Sequence, residues 1–443
     1  MLFLVSAILL FAHAVYAGEK ILAEDFNRYE SVHLKADADK NLWTAYHDMN
    51  SRIHVQNIAE GTDFIMNDGS KKGASRGLSF DVQGDRVFTV WRDEIAQQGR
   101  VVTFRAASDG GKTLSDPIVL DPGRTKAFTR LKMGANSKGE IIVLWYGDTR
   151  VKDTMYHFYS THSNDSGKAF SEPQNLTTGY HDAIYPSLLV TEGNSYVFAA
   201  AKRDGDRYLI FRKTTDGGKT WSDPVEIMKT GEANTFIEPF RVGERLHVVW
   251  LDEIEGYAVI RNAYSDDDGE TWNTHTFGQT KGLYIFTMHM AHDSKGDIYI
   301  ALGASHTLKE KNNVRLIRSE DNGASWEDMV TLRHYPFDNT HAETPTVYAA
   351  ENGEVVVVWE DYRNIRSNLY MQYSLDHGKT WQEQDTPLEE PGRFNTAVYA
   401  YTDRMIKQDD TYYLLARRYK GDLTKQKADL LLIDFTLKKE GRE

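Results

Sequence analysis

The 443-residue chain contains no cysteine. That excludes disulfides, a lipidated cysteine anchor and thiol catalysis, and leaves a hydrophobic core to hold the chain together. A disulfide-free exported protein suits a bacterial periplasm or secretion better than an animal ectodomain. Positive charge is also scarce. The 52 Lys and Arg against 65 Asp and Glu leave a net charge of −13, which argues against nucleic acid as a partner. Long apolar runs are missing beyond residues 1–17, so no membrane span is expected in the rest of the chain. Residues 1–17 end in Val15-Tyr16-Ala17, a small-residue cleavage pattern, and read as a secretory signal peptide that lacks the usual leading Lys or Arg. Residues 18–443 are then expected as one secreted or periplasmic domain, a monomer. No metal or cofactor is expected either: the rings of His289-Met290-Ala291-His292 would point to opposite faces of a strand.

What the chain does have is a repeat. Thr214-Thr215-Asp216-Gly217-Gly218-Lys219-Thr220-Trp221 recurs as Ser265 to Trp272, Ser319 to Trp326 and Ser374 to Trp381, with weaker copies at Ala107 to Leu114 and Ser163 to Phe170. Its aspartates, Asp109, Asp165, Asp216, Asp267, Asp321 and Asp376, fall 51 to 56 residues apart. A fixed period of that size built from strands means a propeller or an array. Each residue has a mechanical task. The Asp caps the turn's N–H groups, the Gly supplies a left-handed backbone, the Thr or Ser hydroxyl ties the loop back, and the Trp packs sideways.

Each unit reads as four short strands. In the best-marked one, Thr344 to Ala349 is the inner strand and Glu354 to Trp359 the second. Asn368 to Tyr373 is the third, and an outer strand follows the turn near Gln382. Val355-Val356-Val357-Val358 suits a strand covered on both faces. Two further units without the turn motif stand at the ends. The last lacks an outer strand, which Lys20 to Phe26 would supply by pairing the two ends of the chain. The expectation is an all-β fold: a single propeller of eight four-stranded blades, or seven if the N-terminal strands merge with the last unit.

The turns resemble the Asp-boxes, or BNR repeats, of the sialidase superfamily. The resemblance covers the chain from about residue 30 onward in rhythm. It implies that the boxes are structural and lie at the blade periphery, and that a site belongs at the channel mouth. The loops between second and third strands supply His47, Asp48, Arg92, Asp93, Arg150, Arg203, Arg363 and Arg417 as candidate substrate-binding groups, and Arg forms bidentate contacts with carboxylates. The starts of the inner strands add His289 to that set. Tyr185, Glu238, Glu343 and Asp361 are the candidate catalytic residues.

A sialidase needs three arginines, a tyrosine nucleophile with a glutamate base, and an aspartic acid. The Arg-Ile-Pro usual on the family's first inner strand is absent; at comparable prolines stand Ile184-Tyr185-Pro186 and Glu343-Thr344-Pro345. Three functions therefore stay open. A sialidase-like glycoside hydrolase would act on an extracellular, acidic glycan, with Glu343 or Glu238 assisting a tyrosine. A polysaccharide lyase would use Tyr or His with Arg on a uronate. A non-catalytic propeller would bind glycan or protein at its mouth.

Overall fold

Val355 to Trp359 are buried on both sides, as their unbroken apolar run requires. The same holds for Ile141 to Trp145 and Val248 to Trp250, so the second strand of a unit lies deep between neighbouring sheets. The computed structural model describes residues 17–27, 31–67, 76–95, 99–121, 126–127, 131–148, 156–231, 235–277, 280–307, 309–336, 339–398, 405–420 and 427–438. They form eight antiparallel sheets, the blades of one β-propeller.

In chain order, the first blade runs from His33 to Ile65 and the second from Arg76 to Val119. The third spans Lys126 to Asn175, the fourth His181 to Thr230 and the fifth Thr235 to Thr276. The sixth runs from Tyr284 to Thr331 and the seventh from Ala342 to Pro387. The eighth takes three steps from Thr396 to Thr436 and its outermost strand from Ala17–Asn27. That strand pairs antiparallel with Lys427–Thr436, placing Lys20 opposite Leu432 and Phe26 opposite Ala428. The closure expected of Lys20 to Phe26 is therefore present, and the count is eight rather than seven.

Apolar layers between adjacent blades hold the ring. Across the closing seam Phe26, Val32 and Leu34 pack with Leu415, Leu430 and Leu432, all nearly or wholly inaccessible. A row of second-strand tryptophans, Trp43, Trp91, Trp145, Trp250 and Trp359, fills the largest gaps. Among the described residues no helix is long and apolar enough to cross a membrane. Residues 1–16 and Arg150 lie outside the described residues.

The boxes behave as their residues dictate. Thr220 donates its amide to Asp216 Oδ1 at 2.9 Å and its hydroxyl to Oδ2 at 2.7 Å. Thr214 Oγ1 accepts the Gly218 amide at 3.0 Å. At Gly269, φ is 93° and an added Cβ would stand 2.4 Å from the Phe211 ring of the preceding blade, so glycine is required twice over. Trp272 meets that same ring edge-on at 5.2 Å. The residue before the box glycine clasps the preceding blade. Asp268 accepts from Tyr196 and Asn194, Asn322 from His247, and His377 Nδ1 lies 2.6 Å from Asp297 Oδ2. In the six blades that carry them, the boxes and the turns joining first to second strands thus share one end of the sheet, and the mouth is the other end.

Candidate functional site

The mouth is shaped by a recurring irregularity. In the second, fourth, fifth, sixth and seventh blades the inner strand bulges opposite its second strand. The residues at the bulges are Gly77, Tyr185, Phe236, Phe286 and Thr344. Backbone φ is 59° at Gly77, 54° at Tyr185, 55° at Phe236 and 51° at Thr344. A β-branched residue resists that conformation, so Thr344 is a strained position held by its surroundings. Bulges re-aim the side chains beside them.

In the seventh blade the residue just ahead of the bulge, Glu343, pairs directly with Glu360 on the second strand. Like charges directly opposite one another repel, which favours a proton on one of them. Glu360 is the one withdrawn from water, at 5% exposure. Burial raises its carboxyl, the Arg417 guanidinium opposes the rise, and the Glu343 charge adds to it; the result is about 7. The Val398 amide donates to Glu360 Oε1 at 3.2 Å. Tyr362 Oη makes a long hydrogen bond of 3.5 Å to Glu360 Oε2. Burial and then the two glutamates push the Tyr362 hydroxyl's pKa up. Glu343 remains about one-third exposed, with His341 Nδ1 at 3.7 Å. Two carboxyls, a tyrosine and an arginine thus meet at the mouth between the seventh and eighth blades. They are set so that one carboxyl titrates near neutrality and the other faces solvent.

The other sequence-predicted residues are placed as follows. Asp361 is wholly buried and holds Arg333 at 2.8 Å, Arg363 at 2.7 Å and the Trp359 indole N–H at 3.0 Å. Arg363 also binds Asp385 at 2.6 Å and lies over the Tyr370 ring. These ion pairs are internal to the protein, and only Arg363 Nε among the Arg363 and Asp361 polar atoms is left without a hydrogen-bond partner. Asp93 accepts from the Trp91 indole in the same relation, two residues on. Asp48 braces its own turn against Arg52 at 2.7 Å. His47 has no exposure, and burial pulls its imidazole down to about 3. Arg203 pairs with Glu226 at 2.7 Å and lies over Tyr180. His289 Nδ1 accepts the Val347 amide at 3.1 Å, tying the sixth blade to the seventh. Tyr185 is half-buried against the core shared by the fourth and fifth blades. Glu238 is exposed and opposite Val249, and Arg92 is buried on the second blade.

Of the candidates, Glu343 and Arg417 therefore come together, and Glu360 and Tyr362 are the members that reading by residue type passed over. The signal was present in the loop Glu360-Asp361-Tyr362-Arg363. Strand alternation puts Glu360 and Tyr362 on one face and Asp361 and Arg363 on the other.

Among the described residues one group has metal-ligating chemistry: Asp293, Asp297 and His377, with ligand atoms within 4.8 Å of one another. It lies at the box end of the sixth and seventh blades. Asp293 Oδ1 already caps the amides of Lys295, Gly296 and Asp297. His377 occupies the box position that clasps the preceding blade elsewhere, so the trio is the local form of that clasp. Asp266, Asp267 and Asp268 are likewise engaged, by Arg245, by Thr271 and by Tyr196.

Comparison with known proteins agrees with this architecture. Residues 240–403 match the BNR repeat-like domain. No curated protein sequence matches the chain. The crystal structure of the polysaccharide lyase Uly1 shares the fold with a TM-score of 0.51 at 12% identity, over 82% of this chain and 90% of that one. An ulvan lyase bound to a GlcA–Rha3S glycan gives 0.48 at 12% identity, over 81% and 94%. NanB sialidase from Streptococcus pneumoniae gives 0.38 at 10% identity, over 90% and 83%. At such identities the likeness is one of fold.

Proposed function

We propose that this sialidase-like BNR β-propeller is a carbohydrate-active enzyme that cleaves glycan at its mouth, with Tyr362 as the reacting side chain. The observation that carries the reading is Glu360, a fully buried carboxyl poised near neutrality beside that tyrosine. A phenol whose own pKa is raised needs a neighbour to take its proton, and Glu360 is within reach. Glu343, in front, partly exposed and carrying the charge that raises Glu360, withdraws a proton from the water that releases the sugar, while the departing glycosidic oxygen takes its proton from solvent. Arg417 balances the charge on the pair. An acidic glycan and export through residues 1–17 belong to the same reading.

Hydrolysis is favoured because two carboxyls, one buried and raised and the other open to solvent, accompany the tyrosine. Elimination is the second reading. Tyr362, its own proton passed to Glu360, would then take the proton beside a uronate carboxylate while Arg417 stabilises the enolate. The glycosidic oxygen on the next carbon leaves as the double bond forms and takes a proton from solvent, and the fold shared with a polysaccharide lyase supports this reading. The test is incubation with sialosides, uronate polysaccharides and neutral glycans, following reducing ends and ultraviolet absorbance together. Hydrolysis gives new reducing ends alone; elimination adds absorbance from the unsaturated product. Tyr362→Phe is expected to lower turnover by about 10³-fold with an unchanged melting temperature. Full activity in that variant would remove the reading.

A further inference from the structure

Among the described residues, Tyr257, Tyr284 and Phe286 are the large aromatic side chains that stand open to solvent, at 49%, 43% and 44% exposure. They are not scattered. Tyr257 sits at the tip of the fifth blade's second hairpin, opposite Ile254. Its neighbour Ala258 bridges antiparallel to Leu283, which sets Tyr257 across from Tyr284. Phe286 is the bulged residue two positions further along the sixth blade's inner strand. Three rings therefore occupy one stretch of the mouth rim. A soluble protein gains nothing in stability from leaving them there, and exposed apolar ground of this kind marks a binding surface.

The stretch is continuous with the Glu343 site. A Cβ added at Gly303 of the sixth blade would fall 2.5 Å from Thr287 Oγ1 and 3.4 Å from both the Thr344 amide nitrogen and Pro345 Cδ. Thr287 follows Phe286, and Thr344 follows Glu343. Glycine at 303 thus lets the inner strands of the sixth and seventh blades close together, so the rings end where the carboxyls begin.

We infer that Tyr257, Tyr284 and Phe286 form a stacking platform for the sugar rings of a glycan chain, so that the substrate is a polymer bound along several units. The inference rests on the reading of the mouth as the glycan site. The chemistry fits this occupant. Flat aromatic faces take the C–H face of a pyranose or furanose, and the two phenol hydroxyls hydrogen-bond the sugar edges. Rings of every sugar offer such a face, so the platform sets chain length and position while the Glu343–Arg417 end sets the bond.

The test separates platform from chemistry by reading binding apart from cleavage. Wild type, Tyr362→Phe and the triple variant Tyr257→Ala, Tyr284→Ala, Phe286→Ala are run in affinity gels containing polygalacturonate, arabinan or polysialic acid. Retardation of wild type and Tyr362→Phe by at least one polymer is expected. The triple variant should bind that polymer about tenfold or more weakly, with an unchanged melting temperature because the rings are exposed. Cleavage should lose its preference for long over short oligosaccharides in the triple variant, through KM rather than kcat. Retention of binding within twofold, or no retardation of wild type by any polymer, overturns the platform. A wild-type dimer that the triple variant converts to monomer, with glycan binding unchanged, overturns it in favour of contact between two copies. Failure of the Tyr362 chemistry looks different: Tyr362→Phe then cleaves normally while the triple variant still loses binding.

Discussion

Carboxylates at the two ends of the blades live under opposite conditions. At the box end, Asp376 accepts the Ser374 hydroxyl at 2.7 Å, and the Thr380 amide and hydroxyl at 2.9 and 2.7 Å. Burial pushes its carboxyl up, but these donors outweigh it and hold the value at about 2. At the mouth, Glu360 is buried against another carboxylate and driven up to about 7. One acid is held ionised by donors arranged for it, the other is kept near half-protonation. The difference separates a carboxylate that secures the fold from one available to move a proton.

Asp361 shows that position at the mouth is not enough, and substituting it gives the largest expected change in stability. It lies beside Glu360 in sequence yet faces Arg333, Arg363 and the Trp359 indole, and those donors hold its carboxyl low against the cost of burial. Asp361→Ala takes the carboxylate from buried Arg333 and leaves Arg363 with Asp385 alone, at a cost of about 3–5 kcal/mol. Urea unfolding should show the midpoint falling with the slope unchanged. A shift below 1 kcal/mol would mean that the network is wet, and that Asp361 belongs with Glu360 after all.

Glu360→Gln tests the other side of the contrast through pH. A carboxyl raised in the folded state binds its proton more tightly there than in the unfolded chain. Its contribution is present in full below about 4.5 and is lost as pH rises through about 7. Wild type should lose of order 3 kcal/mol over that window from this group. Glu360→Gln should flatten the decline. Turnover should move the opposite way, rising with pH through about 7 as Glu360 ionises to accept the Tyr362 proton. The variant should keep little of that rise. Parallel pH profiles for the two proteins would show that Glu360 does not titrate in this range.

The blades and the boxes were open to sequence reading because their causes are local. A left-handed glycine, a capping aspartate and a β-branched run each act within a few residues, and the period repeats them until accident is excluded. Closure by Ala17–Asn27 was readable for a related reason, since a last unit short of one strand leaves an edge to cover. The site was less accessible. Glu343 and Arg417 were named for their position at the mouth, but Glu360 and Tyr362 become distinctive only through cross-strand register and burial, which the chain does not state. Arg363 and Asp361 looked equally available as residue types. Only the arrival of Arg333 and Asp385 from elsewhere in the sequence makes them each other's partners.

The smallest effect, Ser374→Ala, checks the box end where nothing chemical should follow. Ser374 is 1% exposed, and its hydroxyl donates to Asp376 and accepts the amides of Gly378 at 2.8 Å and of Asp376 at 3.3 Å. Removing it leaves the Gly378 amide buried without its acceptor, which costs about 1–3 kcal/mol. The neighbouring Thr380 contacts stay in place, so the turn should loosen without reorganising. Thermal melting should fall by a few degrees, while turnover per folded molecule stays at the wild-type value, because the box and the mouth stand at opposite ends of the same sheet. Lost turnover with an unchanged melting temperature would place chemistry at the boxes. The division of labour between the two ends of the blade would then have to be abandoned.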